Sequence, residues 1–321
     1  MFLTFEQTVK EIKSGKLLHI AAEEALLGQL PKGNWIGGTT PYFIDEEGGI
    51  ISHDKLFVNV MDFATDYKIS LYDEDTVLNV IEDTYHNGFT LMVMPFGSKP
   101  LAVYAEKASD VDGLFLKSIV GWVSGFDLNS SGSTAKAVDG STGIMYEDRS
   151  VALHIAIPDD KLALIGTINI FNPNENSPEI RFLTSAGEVK DCMVGNDKVL
   201  FADYIRDNNI NTELPLVANY NGANVNTSIK SIDGDTVSFY APVFAEQTYH
   251  FANSIQSYEE EFAQKLTDYQ DINPIFSCNC ILNFLYGKLE GKKTTPFSGA
   301  VTFGEIAYQL LNQTLVYITI V

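Results

Sequence analysis

Positive charge is scarce in this 321-residue chain: 21 Lys and Arg stand against 42 Asp and Glu, a formal net charge of -21. That balance opposes association with phosphate backbones and anionic lipid surfaces, so nucleic acid is not an expected partner. The acidic residues are spread out and never form a long block, which describes a self-repelling surface rather than an acidic interaction tail. Cysteine is scarce as well. Cys192, Cys278 and Cys280 are an odd set that makes no disulfide framework and suits a reducing compartment. No window approaches the roughly 18 uninterrupted apolar residues of a membrane span. The opening residues, Met1-Phe2-Leu3-Thr4-Phe5, enter an amphipathic pattern without the basic and apolar regions of a leader. These absences predict a cytoplasmic protein with no membrane insertion. Low-complexity segments and short repeats are missing, and so are Gly-x-Gly-x-x-Gly and Gly-Lys-Ser/Thr elements, so no cofactor is expected.

What is present is apolar residue: 45% of the chain is hydrophobic and 12% aromatic, enough for one large core or two ordinary ones. Thr4 and Gln7 stand at capping-box spacing before a helix that Gly15 stops. Strand-like runs at 16–22, 55–63, 67–71 and 89–95 alternate with helical spacing at 23–30, 73–86 and 101–108, and 114–126 reads as a strand. Asn129 to Gly143 reads as a mobile loop. Strands then follow at 151–158, 162–171, 179–183 and 189–194, a helix at 198–208, further strands to 244 and a helix at 254–268. The predicted fold class is α/β in the mixed α+β sense. Two domains are expected, 1–197 and 198–321, each a predominantly antiparallel or mixed sheet with helices packed on it.

The stretch from Pro274 to Thr314 is built differently from a plain core. Two strand-length apolar runs end in small or polar residues, Ser277-Cys278-Asn279-Cys280 and Thr302-Phe303-Gly304-Glu305, where Val or Ile would normally continue. Small residues let a ligand or another backbone come close. Glu305 is predicted to open a short helix ending near Leu311. There its carboxylate either complements the helix dipole or faces a pocket and recognises an ammonium or hydroxyl group. Cys278 and Cys280, two apart in a strand, point to one face. Buried thiols, a pocket-lining or redox-sensing thiol and a soft-metal ligand remain open readings, but the four ligands of structural zinc are not in view. Gly37-Gly38-Thr39-Thr40 is a tight strand exit whose amides also suit an anion. Asn219 and Tyr240 add polar and aromatic groups near strand ends.

Trp35-Ile36-Gly37-Gly38-Thr39-Thr40 with its following hairpin, Phe276-Ser277-Cys278, Phe303-Gly304-Glu305-Ile306 and Leu311-Asn312-Gln313-Thr314 together resemble the FIST sensory-domain family over nearly the whole chain. The match departs where the family often places an Arg after the Cys, since Asn279, Cys280 and Ile281 stand there, and where Thr302 replaces a second glycine. The resemblance implies a stand-alone sensory protein. It would bind a small polar metabolite such as an amino acid at Gly37, Gly38, Thr39, Thr40, Asn219, Tyr240, Ser277, Cys278, Gly304 and Glu305, with output through a separate signalling protein. An enzyme, hydrolase or transferase, using the same pocket is one alternative. A haem-based gas sensor with one of the five histidines as axial ligand is another.

Overall fold

The computed structural model describes residues 1–220, 222–269, 271–293 and 297–321; Thr294, Thr295 and Pro296, in the Gly/Lys-rich turn, lie outside them. The chain opens with β1 (Phe2–Leu3) and α1 (Phe5–Lys13). The start of α1 is fixed by a reciprocal capping box between Thr4 and Gln7. β2 (Leu18–Ala22) passes through α2 (Glu24–Leu27) into the parallel β3 (Trp35–Thr39). The hairpin of β4 (Tyr42–Asp45) and β5 (Gly48–Ile51) follows, and β6 (Leu56–Val60) returns antiparallel to β2.

The same sequence of elements then recurs. β7 (Asp66–Tyr72), β8 (Gly88–Pro95), α3 (Lys99–Lys107) and the parallel β9 (Ile119–Ser124) lead to a hairpin, β10 (Ala137–Asp139) and β11 (Ile144–Tyr146), and a return strand, β12 (Ser150–Ala156). A third round begins at β13 (Ala163–Ile168). It is interrupted by an insertion made of β14 (Ile180–Phe182), β15 (Ala186–Val189), β16 (Asp191–Val194), β17 (Asp197–Leu200), α4 (Phe201–Asp207), β18 (Leu216–Tyr220), β19 (Ala223–Thr227), β20 (Ile229–Asp233), β21 (Thr236–Val243) and β22 (Thr248–Phe251). The round resumes with α5 (Tyr258–Leu266), β23 (Phe276–Cys280), α6 (Ile281–Tyr286), the parallel β24 (Gly299–Thr302), the hairpin β25 (Glu305–Ala307) and β26 (Gln309–Leu311), and β27 (Leu315–Ile320).

Three six-stranded sheets result, with matching orders: β1-β6-β2-β3-β10-β11, β7-β12-β8-β9-β25-β26 and β13-β27-β23-β24-β4-β5. In each, four strands belong to one repeat and the last two are a hairpin donated by another. The first repeat donates to the third, the third to the second and the second to the first. A shared glycine fixes the register. A Cβ on Gly37, Gly121 or Gly299 would lie 2.4, 2.2 or 1.9 Å from the carbonyl oxygen of Ile20, Met92 or Ser277 on the neighbouring parallel strand. One apolar core draws on all three sheets, with Ile36, Phe43, Leu91, Trp122, Phe276 and Val316 inside it.

The architecture is mixed α+β, as the sequence predicts. The boundary expected between 197 and 198 cuts the β16–β17 hairpin, where Val194 pairs with Asp197 and Asp191 with Leu200. The insertion sheet, β17-β16-β14-β22-β18-β19, runs across it. The helix expected from Glu305 to Leu311 is the β25–β26 hairpin, because β25 completes the edge of β9 with Glu305 opposite Trp122. Helical spacing at 73–86 yields a short 3-10 turn at Val77–Ile81. The expected loop at 129–143 contains β10, which pairs with β3. Among the described residues, no helix is long and apolar enough to cross a membrane.

Candidate functional site

The repeat supplies a set of matched positions. Gly38, Trp122 and Ala300 are equivalent, each one residue beyond the shared glycine. Facing them on the parallel partner are Ala21, Val93 and Cys278. Facing them on the donated strand are Ala137, Glu305 and Phe43. One residue beyond Cys278 stands Asn279, where the other repeats have Ala22 and Met94. At two buried positions filled elsewhere by apolar groups, the chain thus places a carboxyl and an amide. Both are inside the protein, Glu305 at 0% and Asn279 at 3% exposure.

Around them lies a closed polar cluster. Thr302 sits at the end of β24, and its hydroxyl donates to the Asn279 carbonyl (3.2 Å), as Ser124 does to Met94 (3.4 Å) in the second repeat. A hydroxyl has one proton to give. Thr302 Oγ1 also stands 3.0 Å from Glu305 Oε1, to which it donates in place of the Asn279 carbonyl, or from which it accepts when Glu305 carries the proton. Electrostatics favours the second arrangement, because burial pushes Glu305 well above the ordinary carboxylate range. The other oxygen, Oε2, accepts from the Thr314 amide at 3.4 Å. The Cys280 thiol lies within reach of Glu305, and burial, then Glu305, pushes it well above its usual value. For both groups burial favours the neutral form.

The amides are only half used. Asn279 Oδ1 accepts from the Cys280 backbone (2.8 Å) and from Asn283 Nδ2 on α6 (2.9 Å), which fixes both side-chain orientations. Asn279 Nδ2 and Asn283 Oδ1 are left buried and unpaired, together with Asn312 Oδ1 and the Tyr258 hydroxyl on α5. The Asn279 amide approaches that hydroxyl outside hydrogen-bonding geometry. Gly287 makes room for the Tyr258 ring, since a Cβ there would meet the ring carbons at 2.7 Å. A buried unpaired amide or hydroxyl costs about 1–3 kcal/mol, so four in one cluster, against one further unpaired side-chain atom among the described residues, Ser150 Oγ, call for a partner.

The loop that closes the cluster is held in place by the insertion. Gln313 is buried and left-handed, with φ 48. Its side chain accepts from Ser228 (2.7 Å) and donates to the Glu213 carbonyl (3.1 Å), while Asn226 donates to the carbonyls of Asn312 and Gln313. Fixing a non-glycine residue in that conformation is costly unless the surroundings impose it. A cleft of about 270 Å³ reaches the cluster between α5 and α6 and is lined by Tyr258, Asn283, Tyr286 and Gln313 among others. A wider cleft of about 580 Å³ touches the cluster only at Thr314, and none of the unpaired atoms belongs to its lining.

Of the residues expected to bind a ligand, the structure brings together Ser277 and Cys278 on β23 with Gly304 and Glu305 at the start of β25, in the sheet packed against it. Ser277 donates to the Ser298 carbonyl (2.9 Å) and Cys278 points at the Gly121 carbonyl (3.7 Å), so both are structural at this stage. Gly37 and Gly38 serve close strand packing. Thr39 donates to Gly125 (2.7 Å) and Thr40 to Val301 (2.8 Å), and both line a separate cleft. Asn219 does not join the site: it is exposed and organises its own turn through Gly222 and Asn224. Tyr240 is half-buried; burial, then the nearby Cys280 thiol, raises its pKa, and it lines another cleft with Phe96 and Lys230. Asn283, Asn312 and Tyr258 escape sequence reasoning. The usable signal was Asn279-Cys280-Ile281-Leu282-Asn283, two amides four residues apart in an otherwise apolar run.

Two of the five histidines have both ring nitrogens engaged. His19 takes the Trp122 indole proton at Nε2 (2.8 Å) and contacts Asn59 at Nδ1 (3.0 Å). His154 contacts Tyr72 (2.9 Å) and Thr90 (2.8 Å). Burial lowers His19 to about 3 and His154 to about 4.

The chain from residue 3 to residue 321 matches a family described as "Family of unknown function (DUF6976)". No curated protein and no solved structure matches it.

Proposed function

The chain belongs to the DUF6976 family, whose function is unknown, and from the site itself we propose that it is a binding protein for a small polar metabolite, held at the Asn279–Asn283–Glu305 cluster. The observation that carries this reading is the set of buried, unpaired polar atoms around Asn279, which stands where the other two repeats have Ala22 and Met94. Asn279 Nδ2 offers a donor and Asn283 Oδ1 an acceptor, so the complementary ligand carries both, as an amide or an amino acid does. The protonated Glu305 adds a neutral polar wall rather than a charge. The likeness to FIST sensory modules points to the same class of ligand and to output through a separate signalling protein.

A binding role fits the chemistry better than thiol catalysis. A nucleophilic cysteine needs a lowered pKa, and burial holds Cys280 protonated. In the empty protein ordered water would satisfy the unpaired atoms, and a ligand would displace it. A thermal-shift screen with free amino acids and small amides tests the reading. Saturable stabilisation, about 2.7 kcal/mol at a hundredfold excess over Kd, without consumption of the compound is the expected result. Turnover of a stabilising compound, or a flat response across the panel, would reject it.

A further inference from the structure

A second constellation lies in the first repeat, at the cleft lined by Thr39 and Thr40. We propose that Glu23, His53 and Asp127 form a site for a divalent transition-metal ion of the zinc or manganese class. Glu23 stands one residue beyond the end of β2, His53 in the β5–β6 connection and Asp127 just past β9, so three distant loops converge. Each offers one ligand atom, and the three atoms lie within 4.8 Å of one another. Two bonds of about 2.1 Å span roughly 4 Å end to end, so a small rotation of the exposed His53 ring completes the set.

The local charges ask for a cation. Glu23 is bonded to His53 Nδ1 at 2.7 Å, and Asp127 accepts from Tyr42 (3.3 Å), the Asn129 amide (2.9 Å) and Ser130 (3.1 Å). Among the described residues, neither carboxylate has a Lys or Arg partner; the neighbouring Lys136 is taken by Glu24 and Glu147. One imidazole and two carboxylates suit zinc and manganese and hold magnesium poorly. Three protein ligands also leave coordination positions open. Those positions face a cleft of about 350 Å³ whose wall carries the hydroxyl residues Thr39, Thr40, Ser130, Ser133 and Thr134, with Glu23 and Asp127. The geometry is that of an exchangeable site open to solvent and to hydroxylated ligands. It shares no residue with the Asn279–Glu305 cluster.

The test is calorimetric titration of the chelator-treated full chain with Zn²⁺ and Mn²⁺, Mg²⁺ serving as the control ion, followed by elemental analysis. One equivalent of Zn²⁺ is expected, with the Mg²⁺ titration flat. The double variant His53→Ala/Asp127→Asn is expected to lose at least about tenfold in affinity, while Glu147→Gln stays as wild type. His53 and Glu147 are exposed and Asp127 is half-buried, and an unchanged thermal transition in chelator shows that both variants fold. No Zn²⁺ binding tighter than about 1 mM, or a loss smaller than tenfold in the double variant, would overturn the assignment.

Discussion

The histidines buried in the first two repeats and the amides buried in the third are treated in opposite ways. His19 and His154, deep in the first and second repeats, each have two ring-nitrogen partners. Near the end of β23, in the third, Asn279, Asn283 and Asn312 are buried with one end bonded and the other free. The sheet order is common to all three, so at the matched strand positions the difference lies in the side chains. Where Ala22 and Met94 close the core, Asn279 opens it to hydrogen bonding, and where Phe43 and Ala137 fill the donated strand, Glu305 brings a carboxyl. A polar group that satisfies itself is a structural device. One that does not, at a matched position, marks a place kept for something else.

The largest effect should come from what the repeats share. Gly121→Ala and Gly299→Ala each put a methyl group on a neighbouring carbonyl, 2.2 and 1.9 Å away. Each is expected to cost about 3 kcal/mol or more in urea unfolding. A loss in one repeat only would break the equivalence on which the comparison stands.

Glu305→Gln sharpens it next. The amide can donate to Thr302 and accept from Thr314, reproducing the hydrogen bonds of the protonated acid. Because the folded state holds the proton and the unfolded chain releases it, wild-type stability is fully present below the unfolded pKa of about 4.3 and is lost as pH rises toward the raised folded value. The variant should therefore be more stable than wild type at pH 7, with the gap closing near pH 4. Parallel curves for the two proteins from pH 4 to pH 8 would show that Glu305 is ionised.

Asn283→Leu removes one unpaired atom and leaves Asn279 Oδ1 its bond to the Cys280 backbone. Exchange for an apolar group of similar size is expected to raise stability by about 1 kcal/mol while ending the response to ligand. Loss of stability would mean that the amide is a structural group.

His154→Gln probes the satisfied side of the comparison. The wild-type imidazole is neutral when folded, so its contribution is present above pH 6.5 and is lost as pH falls toward about 4. The variant should remove about 1.4 kcal/mol per pH unit from that acid slope. An unchanged acid limb would show that His154 titrates normally.

Local elements were legible and long-range exchange was not. The capping box at Thr4, the strand at 276–280 and the special character of Glu305 can all be read from spacing and residue type. The hairpin at 305–311 cannot, since Glu-Ile-Ala-Tyr-Gln-Leu-Leu has good helix formers and becomes strand only because β9 offers an edge. The repeat is equally hidden. Its signature is one glycine per round and a strand order, while side chains at matched positions differ, and β4 finds its partner β24 at the far end of the chain. The cluster suffers from the same distance: Tyr258, Asn283 and Asn312 come from separate elements that only the folded chain brings together.

The claim that the third repeat keeps its unpaired polar atoms for a ligand is tested most directly by calorimetric titration of the best-stabilising amino acid or amide into wild type and Asn283→Leu side by side. Saturable one-to-one binding to wild type, weakened at least about tenfold in the variant, is the expected result. Equal affinity for both proteins would contradict it.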